Sequence, residues 1–500
     1  MAVPRPRRAL AALHAPAAAF ALLLAGCKVG PDYHRPPPLG TNAMPPAFSA
    51  PADDASAAQW KPAAPAADRL RGPWWRIFDD PELDRLETRC GVENQEIAAA
   101  IARFDQARAS VNVARANLFP QVELDPSYTR QRTSFYTPEN GAPEGVSPTF
   151  NTFTAQLQAG WEADVWGRVR RQVESARAQL AAGADDLGAV KLVVQAELAV
   201  DYFTLRALEA ETGVLERSIE AYRRSLELTV NRRRGGIASD LDVSQAQTQL
   251  RTAQAALPEV RLQRLKLLHA IAALCGLPAT GFTLSAPNAP AAGSPGGGAA
   301  AQPPTVPPAL PSELLERRPD IAAAEQRMAG ANARVGVAQG AFYPHLLLNG
   351  LGGFQSLSAS TWFEGPSGFW SVGPTVQFPL FTGGRIRAQL ALSQAAYREA
   401  LAAYRQSVLS AFQEVEDQLA AQRLLEAQWQ AQTAALESAQ RTLDIANNRY
   451  KSGLVTYLEV ATAQTAALAL ERTVVQTRGD QLVAVVGLIK ALGGGWRSEE

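Results

Sequence analysis

The sequence predicts a mixed α/β membrane protein: four β-strands per chain contribute to a barrel shared between copies, and long α-helical coiled-coil hairpins carry it. Three observations predict this. The chain contains itself twice, since an offset of 217 residues lays NRRRGGIASDLDVSQAQ, from Asn231, over NRYKSGLVTYLEVATAQ, from Asn448, with glycines meeting at 236 and 453. Each half holds two stretches in which apolar and polar residues alternate, too few to close a barrel alone. Finally, the runs from Gly167 to Val230 and from Arg385 to Asn447 contain no proline and are too long to fold back into a compact core.

Composition narrows the function classes. The chain has 500 residues with 48 Lys and Arg against 48 Asp and Glu, so no charge excess argues for nucleic acid. Its length would suit several domains. The duplication instead favours one unit of two similar halves, residues 81–278 and 311–496, joined by a Pro/Gly/Ala linker over 279–310 and followed by a tail at 497–500. No 20-residue apolar span occurs in the mature chain. His34, His269 and His345 are isolated, and neither a G-x-S-x-G nor a phosphate-binding glycine loop is present. No catalysis, cofactor or metal is therefore expected. Cys90 and Cys275 stand alone in helix-like stretches and read as buried free thiols.

The first 26 residues read as an export signal. Arg5, Arg7 and Arg8 precede an apolar run from Ala17 to Ala25 that is too short to span a bilayer. Leu24, Ala25 and Gly26 before Cys27 resemble the bacterial lipobox, which makes Cys27 the lipidated first residue of the mature chain. Lys28 after it, in place of Asp, resembles an outer-membrane address. Residues 27–80 are rich in Pro and Ala and predict an extended surface strap.

Asp80 and Pro81 open a short helix, and a longer one runs from about Val92 to Leu118. Phe119-Pro120 ends it, as Tyr343-Pro344 ends its counterpart, and after each proline the period changes to two. Val122, Leu124, Pro126 and Tyr128 oppose Glu123, Asp125, Ser127 and Thr129. Phe153, Ala155, Leu157, Ala159 and Trp161 oppose Thr154, Gln156, Gln158 and Gly160. Trp370, Val372, Pro374, Val376 and Phe378 oppose Ser371, Gly373, Thr375 and Gln377, while Leu346 to Phe354 alternates less clearly. Aromatics near the strand ends suit the girdles of a transmembrane barrel, and the Gly/Pro/Ser-rich stretches Thr137 to Pro148 and Ser356 to Gly368 suit its loops. Since the smallest closed barrels use about eight strands and an open edge in lipid leaves backbone groups unpaired, copies must share one barrel of eight strands or twelve.

Arg168, Arg170 and Arg171, like Arg385 and Arg387, sit at helix starts where the dipole favours acids; lipid headgroups or a solvated first turn would accommodate them. Past each tip, Val243, Ala246, Leu250, Ala253, Leu257 and Val260 step by three and four, and Val460, Ala463, Ala467, Leu470, Val474 and Thr477 repeat the steps. That is a coiled-coil seam. The tip glycines suffice for helix reversal. Asp242 and Glu459 recur just beyond, where Ser239 with Asp242 and Thr456 with Glu459 read as capping boxes.

Several segments together resemble the outer membrane efflux protein family, the TolC-like exit ducts, in its lipoprotein branch serving tripartite RND drug-efflux systems. They are CKVGPDYHRP (Cys27 to Pro36), AELAVDYFTLRALEAE (Ala196 to Glu211), RPDIAAAEQRMAGANARVGVAQGAFYP (Arg318 to Pro344), AFQEVEDQLA (Ala411 to Ala420) and KALGGGW (Lys490 to Trp496). The resemblance covers essentially the whole mature chain. It implies a homotrimer with a twelve-stranded barrel in the outer membrane of a Gram-negative bacterium and a periplasmic α-barrel. It also implies a periplasmic adaptor and an inner-membrane transporter as partners. The adaptor-docking positions it implies are Gly235, Gly236, Ile237, Ala238 and Ser239 with Ser452, Gly453, Leu454, Val455 and Thr456. The aperture positions are Asp242, Leu458, Glu459 and Thr462, although relatives often carry Asp where Thr462 stands. A duct for type I protein secretion is the alternative within the family.

Overall fold

The computed structural model describes residues 28–39, 72–134, 149–284, 303–304 and 317–494. The signal segment, Cys27, Phe135, Tyr136, the loop from Thr137 to Pro148, most of the linker and Trp496 lie outside the described residues. The elements of the first repeat are α1 (Pro81–Glu93), α2 (Gln95–Ala116), β1 (Gln121–Arg132), β2 (Thr149–Ala163), α3 (Arg168–Arg234) and α4 (Asp240–Leu274). Those of the second are α5 (Pro319–Gly340), β3 (His345–Ser356), β4 (Gly368–Gln377), α6 (Arg385–Lys451) and α7 (Tyr457–Ala491). The long helices α3 and α6 both have 67 residues and the return helices α4 and α7 both have 35, so the duplication holds in structure as well as in letters. The helix expected from Val92 starts later. Asn94 adopts extended backbone, accepts the N–H groups of Glu96 and Ile97, and donates to the Leu274 carbonyl, so it ends α1 and caps α2.

Contacts group the chain into two units. The first comprises Met1–Pro36, Phe104–Gly183 and Ala324–Tyr404. Its centre is a four-stranded antiparallel sheet in the order β1-β2-β3-β4. Register carries each face from strand to strand: Leu124 pairs with Leu157, Leu157 with Gly352, and Gly352 with Trp370, whereas Asp125 pairs with Gln156 and Gln156 with Gly353. The weak alternation of β3 is explained here, because Leu347 and Leu351 lie on the polar face, opposite Thr375 and Ser371. The apolar face is bare: Val122, Leu124, Tyr128, Leu157, Val372 and Val376 are all exposed, and Trp370 is 80% exposed. Both outer edges, of β1 and β4, lack a partner strand among the described residues. Pro126 and Pro374 sit in these edge strands, where proline is tolerated. At Gly353 a Cβ would come within 2.2 Å of the Ala155 carbonyl oxygen, so only glycine fits between β2 and β3 there.

Aromatic rings gather at both ends of the sheet. Tyr128 packs on Phe153 at 4.9 Å and Phe153 on Trp362 at 5.4 Å near the loops. At the other end Trp166 stacks on Tyr343 at 4.9 Å and donates to the Pro344 carbonyl, while Trp161 donates to Leu118. Tyr128, Trp161, Trp166 and Trp362 thus each combine an apolar body with a hydrogen-bonded polar tip, as interfacial belts require.

The first-turn arginines of α3 are met by acids of the chain itself, partners that neither sequence reading named. Arg168 forms a two-bond pair with Glu162, and Arg170 pairs with Asp164, whose carboxylate also accepts the Val169 and Arg170 N–H groups. Arg171 is fully buried and donates to the carbonyls of Val29 and Gly30 and to Asp32 and Glu174. It is the clasp of the strap. Gly30, at φ +101°, lies so near Gly336 of α5 that a Cβ would stand 2.4 Å from its Cα. Asn332 donates to Pro31, and Arg35 pairs with Glu325 at 3.0 Å. The strap expected over the surface is therefore a specific ligand of α3 and α5 over residues 28–36. Arg385 and Arg387, by contrast, are exposed.

The second unit comprises Pro37–Arg103, Ala184–Ala323 and Arg405–Glu500. Its main core joins the turn Trp74–Phe78, α1, α3, α4 and α7, including Leu83, Leu86, Leu198, Phe203, Ile271 and Val486. Asp80 caps α1 and accepts the Tyr202 hydroxyl at 2.6 Å. Cys90 and Cys275 are free and buried, and burial pushes their thiols up to about 12 and about 11. They remain neutral. On the same helix as Cys90, Glu87 is fully buried, neither carboxylate oxygen finds a donor among the described residues, and burial pushes the acid up to about 9.

Candidate functional site: the paired hairpin tips

Each hairpin turns by the same hydrogen bonds. In the first, Gly236 N–H donates to Arg233 O at 2.9 Å and Ile237 N–H to Arg232 O at 2.9 Å; in the second, Gly453 N–H donates to Tyr450 O and Leu454 N–H to Arg449 O, both at 3.0 Å. This is the Schellman closure, and it needs a left-handed residue at its apex. Gly236 and Gly453 supply it at φ +74° and +76°. The residues that follow, Ile237 and Leu454, are largely exposed. Gly235, Ser239, Ser452 and Thr456 are exposed as well, whereas Ala238 and Val455 are half-buried.

Beyond the turns the two repeats diverge. Ser239 caps α4 in a complete capping box: its hydroxyl accepts the Asp242 N–H, and Asp242 accepts the Ser239 N–H at 2.9 Å. The second carboxylate oxygen of Asp242 crosses to the other hairpin and accepts the Tyr457 N–H at 3.1 Å. One side chain thus caps the first turns of both α4 and α7. Thr456 makes no cap, so the second box expected from sequence does not form; Glu459 turns instead to Arg449, 3.6 Å away. Burial alone would raise the Asp242 acid, but the Ser239 and Tyr457 bonds and the nearby Arg232 charge outweigh it and hold it below its ordinary value.

Arg232 completes the joint from the opposite pole. It donates to the Lys451 carbonyl at 2.8 Å, at the C-terminus of α6, and its guanidinium lies over the Tyr450 ring at 4.8 Å. A cation at a helix C-terminus and a carboxylate at a helix N-terminus are the favourable signs for the two dipoles. Beneath this joint Tyr450, Tyr457, Ala246, Val460 and Ala461 form a small core, with the two tyrosine rings edge to face at 5.5 Å. Their hydroxyls are spoken for: Tyr450 donates to Thr229, and Tyr457 donates to Gln464, which is itself buried. Tyr222 donates to the Gln464 carbonyl, and burial pushes its phenol up to about 12, so it stays a neutral donor. Further from the tips, Arg472 and Gln476 close on Glu211, a carboxylate only 1% exposed. The seam residues Ala246, Leu250, Ala253 and Val260 with Val460, Ala463, Ala467 and Thr477 are buried.

Of the positions singled out by sequence, Asp242 is brought into the joint, while Leu458, Glu459 and Thr462 remain exposed on α7. The Thr462 hydroxyl bonds its own helix at the Leu458 carbonyl. Sequence reasoning missed Arg232, Tyr450, Tyr457 and Gln464 as the fastening between hairpins. A signal existed: Tyr450 and Tyr457 replace Arg233 and Asp240 at the repeat offset.

A sheet with one bare apolar face and two open edges, in a chain with paired, Gly-turned helical hairpins, defines an outer-membrane duct of the TolC-like class. The profile of the outer membrane efflux protein family matches residues 91–277 and again residues 310–494. The chain belongs to the outer membrane efflux protein family. It is 32% identical over 488 residues to the probable efflux pump outer membrane protein TtgC of Pseudomonas putida, covering 96% of this chain and 95% of that protein. It is 33% identical over 429 residues to the pyoverdine export outer membrane protein OpmQ of Pseudomonas aeruginosa, covering 85% and 88%. The solved outer-membrane channel OprN superposes with a TM-score of 0.81 at 30% identity, covering 94% of this chain and all of that one. The protein is an outer-membrane efflux duct.

Proposed function

We propose that three copies close one twelve-stranded barrel, β1 of each pairing with β4 of the next, and that this cylinder is the passive exit duct of a tripartite pump for drugs or other small molecules. The observation that carries the reading is the sheet with its bare apolar face and two unpaired edges. Backbone groups at such an edge cost several kcal/mol each in hydrocarbon, so neighbours must satisfy them. Acyl chains on Cys27 add a lipid anchor in the outer membrane of a Gram-negative cell, next to a strap held by Arg171. The tips, with Ile237 and Leu454 outward, dock a periplasmic adaptor that leads to an inner-membrane RND transporter. Leu458, Glu459 and Thr462, exposed on α7, narrow the aperture together with the region of Asp242. No step in this pathway is catalytic; energy comes from the inner-membrane partner.

Protein extracted from outer membranes in detergent should run as a trimer without heating and conduct in planar bilayers. A deletion strain should become more susceptible to drugs. A monomer that needs no detergent overturns the barrel, and unchanged susceptibility with loss of a secreted protein replaces the pump by type I secretion.

A further inference from the structure

The two buried thiols are neighbours. Asn94 donates to the Leu274 carbonyl at 2.9 Å, and a Cβ on Gly276 would stand 2.5 Å from the Glu93 carbonyl oxygen, so the end of α4 rests directly on the end of α1. Cys275 lies between these two contacts. Its thiol donates to the Leu86 carbonyl oxygen at 3.8 Å, one helical turn before Cys90. Side chains on a helix lean toward its N-terminus, so the Cys90 sulfur covers the turn that begins at Leu86. The two sulfurs therefore meet at one place in the core, where both residues are fully buried. A disulfide joins Cα atoms about 4.4–6.8 Å apart, the separation of backbones in direct contact. Packing alone does not call for sulfur at this place. At the offset of 217 residues Leu274, Cys275 and Gly276 become Ala491, Leu492 and Gly493, and Leu492 is buried in a cluster with Val415 and Leu488. A leucine thus fills the equivalent position in the second repeat.

We propose that Cys90 and Cys275, which the structure shows as a reduced pair, form a disulfide in the exported protein and pin the beginning of the first repeat to its end. The inference rests on the outer-membrane reading above, because that reading places this helical core outside the reducing cytoplasm, where paired thiols persist as disulfides. The reaction is exchange with an oxidised dithiol carrier of the envelope. One cysteine thiolate attacks the carrier's disulfide, a mixed disulfide forms, and the second cysteine displaces the carrier. One sulfur–sulfur bond breaks in the carrier and one forms between Cys90 and Cys275; the two electrons and two thiol protons leave with the carrier, which becomes a dithiol. Burial pushes the folded thiols up to about 12 and about 11, so exchange belongs to the folding chain, before the core closes over them. Once closed, the same burial shields the bond from soluble reductants.

Thiol counting on the full-length protein tests this. Outer membranes are dissolved in denaturant with a maleimide that carries a polymer tag, with or without prior reduction, and the gel shift counts the free thiols. Reduction should raise the count of the parent by two. Cys90→Ala, and Cys275→Leu, which copies Leu492, should each show no rise on reduction, since the remaining thiol has lost its partner. The count is made on the denatured chain, so it does not depend on how well either variant folds. A parent whose count rises by fewer than two overturns the disulfide. Covalent dimers that vanish on reduction overturn its pairing within one chain. Recovery of the parent in the inner membrane or the soluble fraction overturns instead the outer-membrane placement, a separate failure.

Discussion

Replacing Glu87 by methionine should stabilise the protein, increasingly so as pH rises. The acid is fully buried in the core around the Trp74–Phe78 turn, without a donor among the described residues, and its native value is about 9 against an ordinary 4.5. Below pH 4.5 both the folded and the unfolded chain carry the proton, so the group costs nothing through ionisation. Between 4.5 and 9 the unfolded chain releases the proton while the folded chain keeps it, and stability falls by about 1.4 kcal/mol per pH unit. By pH 7 the cost is about 3 kcal/mol, and it levels off above 9. Methionine conserves volume and carries no acid. Melting of the detergent-purified protein, followed by helical circular dichroism from pH 4.5 to 9, should show parent and Glu87→Met diverging with pH. Glu87→Gln should lose the slope too. Parallel curves for all three proteins would refute the assignment of a neutral, uncompensated acid.

Other perturbations probe the sheet, the strap and the tips. Val372→Lys puts a charge on the bare apolar face and should cost about 2–4 kcal/mol of membrane stability, whereas Ser371→Lys on the polar face should leave the unheated trimer intact; equal effects would mean that the faces are misassigned. Arg171→Ala leaves the Val29 and Gly30 carbonyls without their donor and should cost about 3 kcal/mol or more, read as rapid protease cleavage near residues 28–36. Asp242→Ala removes a cap shared by α4 and α7, at about 1–2 kcal/mol, and should raise bilayer conductance. Because the Asp242 acid is held below its ordinary value, that stabilisation is present above the unfolded value and is lost as pH falls through the folded one. Acid should therefore open the parent but not Asp242→Ala.

Local pattern made much of this molecule legible. Period-two alternation named the faces of β1, β2 and β4, and the duplicated glycines located both turns, because each is decided within a few residues. Most of the failures are long-range polar choices. Arg171 looked out of place at a helix start until the Val29 carbonyl, 142 residues away in sequence, supplied its acceptor. Thr456 and Glu459 have the spacing of a capping box, yet Asp242, 215 residues upstream of Tyr457, takes over part of the capping there. Asn94 inside an apparently continuous helical pattern is a cap because the Leu274 carbonyl holds its amide. In β3, Leu347 and Leu351 blur an alternation that only register could restore.

The unpaired borders of β1 and β4 carry a genetic consequence. In the proposed trimer every copy contributes both borders, so one defective border spoils a whole assembly, whatever the quality of its companions. In a cell making equal amounts of intact and border-damaged chains, random mixing leaves about one trimer in eight wholly intact. Lesions confined to these strands should behave as dominant inhibitors of export, while lesions that abolish the chain altogether should be recessive.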